Sequence, residues 1–151
     1  MVGNGAAEST AYDAAYARAG TECSSTNEGR YVSIYEDLIV HPAHADGLVD
    51  KGDPVVVGWS LVGVAMNSAA SASDVITVDT EGIWWLMAAA TLGNINIGDM
   101  VFIDWWTAVV SDDWQACPFG HALAQVLDGQ TTLIAVKVHA FQVIFPWWLF
   151  P

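Results

Sequence analysis

The chain has 151 residues, of which 54% are hydrophobic and eight are tryptophan, and its formal net charge is −13. This length corresponds to one ordinary domain with a substantial core. The negative charge repels phosphate backbones and excludes a basic nucleic-acid-binding patch. No run of about 18 apolar residues is present, so we expect no membrane span. The acidity favours solubility, and adaptation to a saline medium is the alternative interpretation.

The N-terminal part differs in composition from the rest of the chain. A capping sequence, an alanine-rich run and a glycine follow one another over residues 8–20, the order that predicts a short helix. Tyr12 and Tyr16 share one face of that helix, which is too short to be stable alone and must dock on this domain or on a neighbour. Residues 30–40 predict an edge strand. We therefore assign residues 1–44 to an extended N-terminal arm.

A Gly-Asp turn followed by a run of β-forming residues occurs twice. The first copy opens with residues 51–57 and the second with residues 97–103. Gly-Asp favours a turn, and the β-branched and aromatic residues that follow it favour a pleated surface. Each copy later reaches a strand that begins with small residues, at 63–65 and at 120–122. The two copies predict a compact, barrel-like β domain over residues 45–140.

Strands are also predicted outside the opening turns of the copies. Residues 74–81 alternate, with Ile76 and Val78 inward and Thr77 and Asp79 outward. Short strands separated by turns, with little helix, are typical of an all-β barrel or sandwich.

The strongest local turn signal is the Asp-Gly pair at residues 128–129, which lies between two β-forming runs, 122–127 and 131–139. Asp-Gly at this spacing predicts a β-hairpin. In the second run, Ile134 and Val136 fall on the same side, together with Val138.

The C-terminal tail, residues 141–151, is almost wholly apolar and aromatic. Chain termini are usually polar and frayed, and a free tail of this composition would form a sticky patch in water. We expect it to pack on this domain or on another chain. Its position after the last predicted strand favours another chain.

Tryptophan doublets occur at residues 84–85, 105–106 and 147–148. Neighbouring side chains of a strand face opposite ways, so each doublet sends one ring inward and one outward. The outward rings predict an oligomer contact, and a sugar-binding platform formed by Trp84, Trp105 and Trp114 is the alternative. The interface candidates are all aromatic: Tyr12, Tyr16, Trp84, Trp105, Phe145, Trp147, Trp148 and Phe150.

The motifs of enzyme active sites are missing from the sequence. It contains no Gly-x-Ser-x-Gly nucleophile elbow and no phosphate-binding glycine-rich loop before a helix. Its carboxylate pairs, Asp112 with Asp113 and Asp79 with Glu81, are explained by exposed loop and strand positions. We therefore expect no catalytic residues, no cofactor and no enzyme activity.

The histidines and cysteines do not form a metal-binding pattern. Neither histidine pair, His41 with His44 or His121 with His139, has a cysteine or acidic partner at ligand spacing, so we expect no metal site. Cys23 and Cys117 could form a single disulfide, but their different contexts favour free thiols.

The order of these motifs resembles that of the capsid decoration (cement) proteins of tailed viruses, from about Val32 to His139. The segments that carry the resemblance are Gly52–Gly58, Leu61–Ala65, Ile76–Ile83, Ile97–Val101, Gly120–Leu123 and Thr132–Val138.

The resemblance implies a β-tulip or similar small barrel that forms a homotrimer on the outer capsid, at three-fold or quasi-three-fold positions. Members of the family are not enzymes. They clamp neighbouring copies of the major capsid protein against the pressure of the packaged DNA. The resemblance therefore implies assembly in the host cytoplasm and a final location on the virion surface. The extra tryptophans and the aromatic tail depart from the family pattern.

Overall fold

The computed structural model of the protein describes residues 29–40, 44, 46–58, 60–104 and 109–139. Within these residues the fold consists of strands and one short 3-10 helix, Glu36–Leu38. None of the described residues belongs to a helix long and apolar enough to cross a membrane. The strands are β1 (Tyr31–Tyr35), β2 (Ile39–Val40), β3 (Pro54–Val57), β4 (Leu61–Ala65), β5 (Val75–Asp79), β6 (Ile83–Ala89), β7 (Met100–Ile103), β8 (Val110–Ser111), β9 (Cys117–Ala122) and β10 (Thr131–Val138).

The strands form two sheets. Five of them make an open sheet in the order β1-β5-β4-β3-β2, and the other five close into a barrel in the order β10-β6-β8-β7-β9. Neighbouring strands are antiparallel in both sheets except β6 and β8, which run parallel. The prediction of an all-β, barrel-like domain is therefore confirmed. The predicted N-terminal helix and the aromatic tail lie outside the described residues.

The edge strand predicted over residues 30–40 is confirmed only for its first half, where β1 pairs only with β5 and forms one edge of the open sheet. The 3-10 helix follows β1, and β2 then pairs with β3 at the opposite edge. Both strands come from the segment assigned to the arm, yet they complete the open sheet. The division at residues 44 and 45 stays a prediction.

The inner strands β3 and β4 of the open sheet are buried on both faces. Val56 and Val62 belong to the core cluster of the barrel, which includes the fully buried Phe119. Val55, the neighbour of Val56 in β3, belongs instead to a second cluster on the other face. A strand covered on both faces needs apolar residues at every position, which explains the uninterrupted valines of β3. Cys117, at the start of β9, is buried.

The first repeat copy is closed by a pair of backbone hydrogen bonds. The Gly52 N–H donates to the Ala65 carbonyl at 2.8 Å, and the Ala65 N–H donates to the Asp53 carbonyl at 2.9 Å. Gly52 has a φ of 93°, in the left-handed region that glycine adopts without strain. The Asp53 side chain accepts the Asp50 N–H at 2.8 Å and holds the turn from inside.

The second copy repeats this arrangement bond for bond. The Gly98 N–H donates to the Ala122 carbonyl at 2.8 Å, and the Ala122 N–H donates to the Asp99 carbonyl at 2.9 Å. Asp99 accepts the Asn96 N–H at 2.8 Å, as Asp53 does in the first turn. The internal repeat is therefore a repeat of structure as well as of sequence.

A third turn of the same kind lies at Gly129. Its N–H donates to the Ala90 carbonyl at 2.8 Å, and the Ala90 N–H donates to the Gln130 carbonyl at 2.9 Å. Gly129 also has a positive φ, of 80°. The sequence pattern concealed this copy because Gln130 replaces the aspartate and because the partner strand, β6, precedes the turn in the chain.

The tight hairpin predicted at residues 128–129 is wrong in its strand partners. β9 and β10 do pair antiparallel, but through residues 120–122 and 136–138. The first half of β10 pairs with β6 instead, beginning with Thr131 opposite Ala89. The Asp-Gly pair predicts only a local turn. Which strand pairs with β10 after that turn depends on closure of the barrel. The inward side predicted for β10 is confirmed, because Ile134 and Val136 are buried together with Val138.

Gly120 gives a test of this barrel closure. A Cβ at that position would meet the carbonyl oxygen of Lys137 in β10. We expect Gly120→Ala to lower the free energy of unfolding by about 2–4 kcal/mol, because the two strands must move apart. Urea unfolding followed by tryptophan fluorescence measures the change. Thr132→Ala, at an exposed strand position, is the control and should stay within about 0.5 kcal/mol of the unaltered chain. Equal stabilities for the two variants would contradict the close approach.

Candidate docking surface

The pairing of β6 with β10 places an apolar row on the outside of the barrel. Trp85 lies opposite Ala135, Met87 opposite Leu133, and Ile83 opposite Lys137. Residues directly opposite each other in an antiparallel pair point to the same side of the sheet. Leu86 and Ile134, which lie between these residues, point the other way and are buried in the barrel.

Four large apolar side chains in this row are exposed. The exposed fraction is 63% for Ile83, 71% for Trp85, 40% for Met87 and 56% for Leu133. We call these four residues the β6–β10 face. Single exposed apolar residues are ordinary, but a contiguous group on one sheet face is typical of a protein contact.

A second exposed apolar group, formed by Leu92, Ile97 and Leu127, lies on loops at one end of the barrel. The loops are held together where Ile95 and Val126 exchange two backbone hydrogen bonds, of 2.8 and 2.9 Å. We call Leu92, Ile97 and Leu127 the barrel-end patch. The domain therefore carries one apolar surface on its side and another at its end.

A group of basic side chains borders the β6–β10 face. His121 lies opposite Lys137 in the β9–β10 pair, and the His121 and His139 rings are 6.1 Å apart between centroids. The chain as a whole carries a net charge of −13. Lys137 therefore places a positive charge at this border, which is complementary to an acidic partner such as another copy of the chain.

The prediction that Asp79 points outward as an exposed carboxylate is wrong. Asp79 is 1% exposed and accepts five hydrogen bonds. Arg30 donates two of them, from Nε and Nη2, each at 2.9 Å. The Glu81 and Gly82 N–H groups donate at 3.1 and 3.0 Å, and Trp84 Nε1 donates at 3.0 Å. Strand alternation placed Asp79 on the correct side of β5. That side is buried at this point, because Arg30 and the barrel residue Trp84 cover the carboxylate.

The Asp79 carboxylate joins the two sheets. It ends β5 of the open sheet, accepts from Arg30 beside edge strand β1, and accepts from Trp84 in β6 of the barrel. Burial would raise the pKa of Asp79, but the hydrogen bonds from Arg30, from the Glu81 backbone and from Trp84 outweigh it and lower the pKa from 3.8 to about 2.

Trp84 is the one predicted interface residue that falls within the described residues. Its ring is half-buried against the barrel core, whereas the neighbouring Trp85 is exposed. The doublet therefore sends one ring each way as predicted, and the outward ring is Trp85. Of the proposed sugar platform, Trp114 is exposed and Trp105 lies outside the described residues. The remaining interface candidates also lie outside them: Tyr12, Tyr16, Trp105, Phe145, Trp147, Trp148 and Phe150.

Three side chains in the described part of the chain converge closely enough to ligate a cation. The ligand atoms of His44, Asp50 and Asp53 lie within 4.8 Å of one another. His44 Nε2 lies 2.6 Å from Asp53 Oδ2, and this hydrogen bond raises the pKa of His44. The spacing of His44 to His41 in the sequence gives no sign of these two acidic neighbours. The equivalent turn forms at Asp99 without a histidine, so the turn itself requires no cation.

The lowered pKa of Asp79 predicts how stability depends on pH. A carboxyl whose pKa is lower in the folded chain adds stability above its unfolded pKa, and this contribution is lost as the pH falls through the folded value. We expect about 2 kcal/mol of unfolding free energy to be lost between pH 4 and pH 2 at this group. Asp79→Asn should cost about 3 kcal/mol at neutral pH, because it breaks a buried charge pair. Its deficit should narrow as the pH falls through this window.

The control for this prediction is Asp37→Asn, at an exposed carboxylate of the 3-10 helix. Urea unfolding at a series of pH values measures all three chains. A deficit for Asp79→Asn that stays constant from pH 7 to pH 2 would contradict the assigned role of the carboxylate.

The sequence of this chain matches a known protein family. A family model described as "Phage cement protein" matches residues 32–138, well over half of the chain. The matched segment includes both sheets and the β6–β10 face. No curated protein and no solved structure gives a significant match.

Proposed function

This chain belongs to the phage cement protein family, and we propose that it acts as a homotrimer at three-fold or quasi-three-fold positions of the shell. Family membership makes the chain a structural, capsid-stabilising protein of the outer virion surface. The finer proposal is that each trimer clamps adjacent copies of the major capsid protein and resists internal DNA pressure.

The observation that carries the proposal is the presence of two separate exposed apolar surfaces on one small domain. Trp85 lies at the centre of the β6–β10 face, and Ile97 belongs to the barrel-end patch. A three-fold axis presents the same end of every copy to the same side. If the side faces join the copies, three barrel ends are therefore offered together to the shell.

Trimer formation also addresses the strength of the attachment. A stable protein interface usually buries more than about 1,000 Å² in total, and the three exposed side chains of the barrel-end patch form a small contact. Three linked copies bind at once, and each bound copy raises the effective concentration of the others. A modest contact at each barrel end is then sufficient to hold the trimer on the shell.

The aromatic residues outside the described part of the chain extend the same proposal. We assign the predicted helix to contacts with neighbouring trimers or with the shell, and the C-terminal tail to a contact with another chain. The half-buried Trp84 contributes to the contact through the exposed part of its ring. The proposed contact residues are Tyr12, Tyr16, Trp84, Trp105, Phe145, Trp147, Trp148 and Phe150.

The repeat supplies a well-matched variant for testing the barrel end. Ile97 occupies the turn position that Lys51 occupies in the first copy, so Ile97→Lys introduces a residue that the turn already accommodates. We expect this variant to remain trimeric and to bind shells at least about tenfold more weakly, as when an apolar anchor is lost. Native mass spectrometry gives the oligomeric state. Co-sedimentation with expanded shells of the encoding phage, stripped of this protein, gives the affinity.

The unaltered chain should have three times the mass of the 16.2 kDa monomer and should saturate the stripped shells. Lys51→Ile, the reverse change in the first copy, is the control and should leave shell binding unchanged. A monomer at high concentration that fails to bind expanded shells would disprove the proposal.

A further inference from the structure

The β6–β10 face has no cover among the described residues, and the chain itself contains a segment suited to provide one. We propose that residues 141–151 of one copy lie across the β6–β10 face of the next copy in the homo-oligomer. The inference rests on the proposed function to the extent that it needs an oligomer. It adds which surfaces join the copies and in which direction the chain crosses between them.

The end of β10 determines where this segment begins. The last pair between β10 and β6 is Lys137 opposite Ile83. The Val138 N–H then donates to the Gly82 carbonyl at 2.9 Å, and the His139 N–H donates to the Phe119 carbonyl at 3.1 Å. The chain therefore leaves the barrel at the Ile83 end of the face, with β10 running away from Trp85.

The sequence beyond His139 favours continuation in that direction. To cover its own face, the chain would have to reverse within a few residues of the barrel. Residues 140–145 contain no glycine, proline, asparagine, aspartate or serine, which are the residues that make tight turns. The first turn-forming residue is Pro146. Continuation carries the segment beyond its own barrel and towards a neighbour.

The length of the segment is sufficient for this crossing. Eleven residues in extended conformation span about 36 Å, and the distance along β6 from Ile83 to Met87 is about 13 Å. About half of the segment can therefore bridge the gap between copies while the rest covers the face. No conformational change of the described barrel is required.

The chemistry of the segment also fits the face. Residues 141–151 contain no charged side chain, so burying them removes no charge from water. Each aromatic ring that becomes buried covers about 150–250 Å², and the exposed Trp85 and Leu133 offer apolar contacts for such rings. The positive charge of Lys137, at the border of the face, favours the approach of a second copy, whose net charge is −13.

A second copy of the chain is the preferred occupant of the β6–β10 face, because an exchange of tails between copies can close into a ring. Each chain has one tail to donate and one β6–β10 face to accept it, so the contact joins two different surfaces. Contacts of this head-to-tail kind form a ring when the rotation between copies closes. A ring of three satisfies every tail and every face, and it leaves none of the apolar row of Ile83, Trp85 and Met87 exposed.

A mixing experiment tests both the surface and the direction. One variant lacks residues 141–151 but keeps the face, and the other, Trp85→Glu, keeps the tail but loses the face. Each alone should be monomeric by native mass spectrometry, with an apparent dissociation constant raised at least about thirtyfold, as for the loss of an aromatic anchor. The mixture should give a complex of one chain of each kind, because the tail of the second enters the face of the first.

Trp114→Glu is the matched control, because Trp114 is a similarly exposed tryptophan on the loop between β8 and β9, outside the β6–β10 face. It should oligomerise like the unaltered chain. Leu133→Glu alters the same face at a second position and should behave like Trp85→Glu. Circular dichroism of every variant establishes that the sheets are retained.

Two results would overturn the inference and leave the proposed trimer intact. The first is an oligomer that persists when residues 141–151 are removed. The second is a mixture that gives no mixed complex although the unaltered chain oligomerises, which would mean that the tail packs on its own barrel. A monomeric unaltered chain at all concentrations would instead disprove the proposed trimer itself.

Discussion

The buried carboxylate of Asp79 is the constraint on which the outer surface of the barrel depends. It sits where the chain passes from the open sheet to the barrel, and it accepts the Trp84 Nε1 proton at 3.0 Å. Because side chains alternate along a strand, holding Trp84 inward turns Trp85 outward. A slip of one residue would reverse the two rings and every other residue of β6. The ion pair between this carboxylate and the partly exposed Arg30 thus favours the register in which Trp85 is offered to a partner.

Much of the fold could be predicted from local patterns. The Gly-Asp turns at residues 52–53 and 98–99 combine left-handed glycines with carboxylates that cap the turn, and both features are visible in the sequence. The third turn at Gly129 and the partners of β10 could not be predicted. The third turn is hidden because its capping residue is different. The partners of β10 are hidden because strand order in a barrel depends on closure of the whole sheet rather than on adjacent residues.

The candidate surface was harder to predict for a different physical reason. Both faces of β6 are apolar, so alternation shows that Trp84 and Trp85 point opposite ways without showing which one is exposed. The answer depends on Asp79, whose burial no local pattern indicates, because aspartate in a strand is ordinarily solvated. The apolar surplus of the sequence predicts a protein contact, whereas the β6–β10 face becomes visible only through the pairing register.

The central claim is that the β6–β10 face is covered by another chain when the protein is bound to the virion. Hydroxyl-radical footprinting of the protein on assembled shells, followed by peptide mass spectrometry, tests it directly, because oxidation of an indole depends on its contact with water. The account predicts that Trp85, which is 71% exposed in the single chain, is oxidised severalfold more slowly on the shell than in the dilute monomer. A Trp85 that is oxidised equally fast in both states would contradict the account.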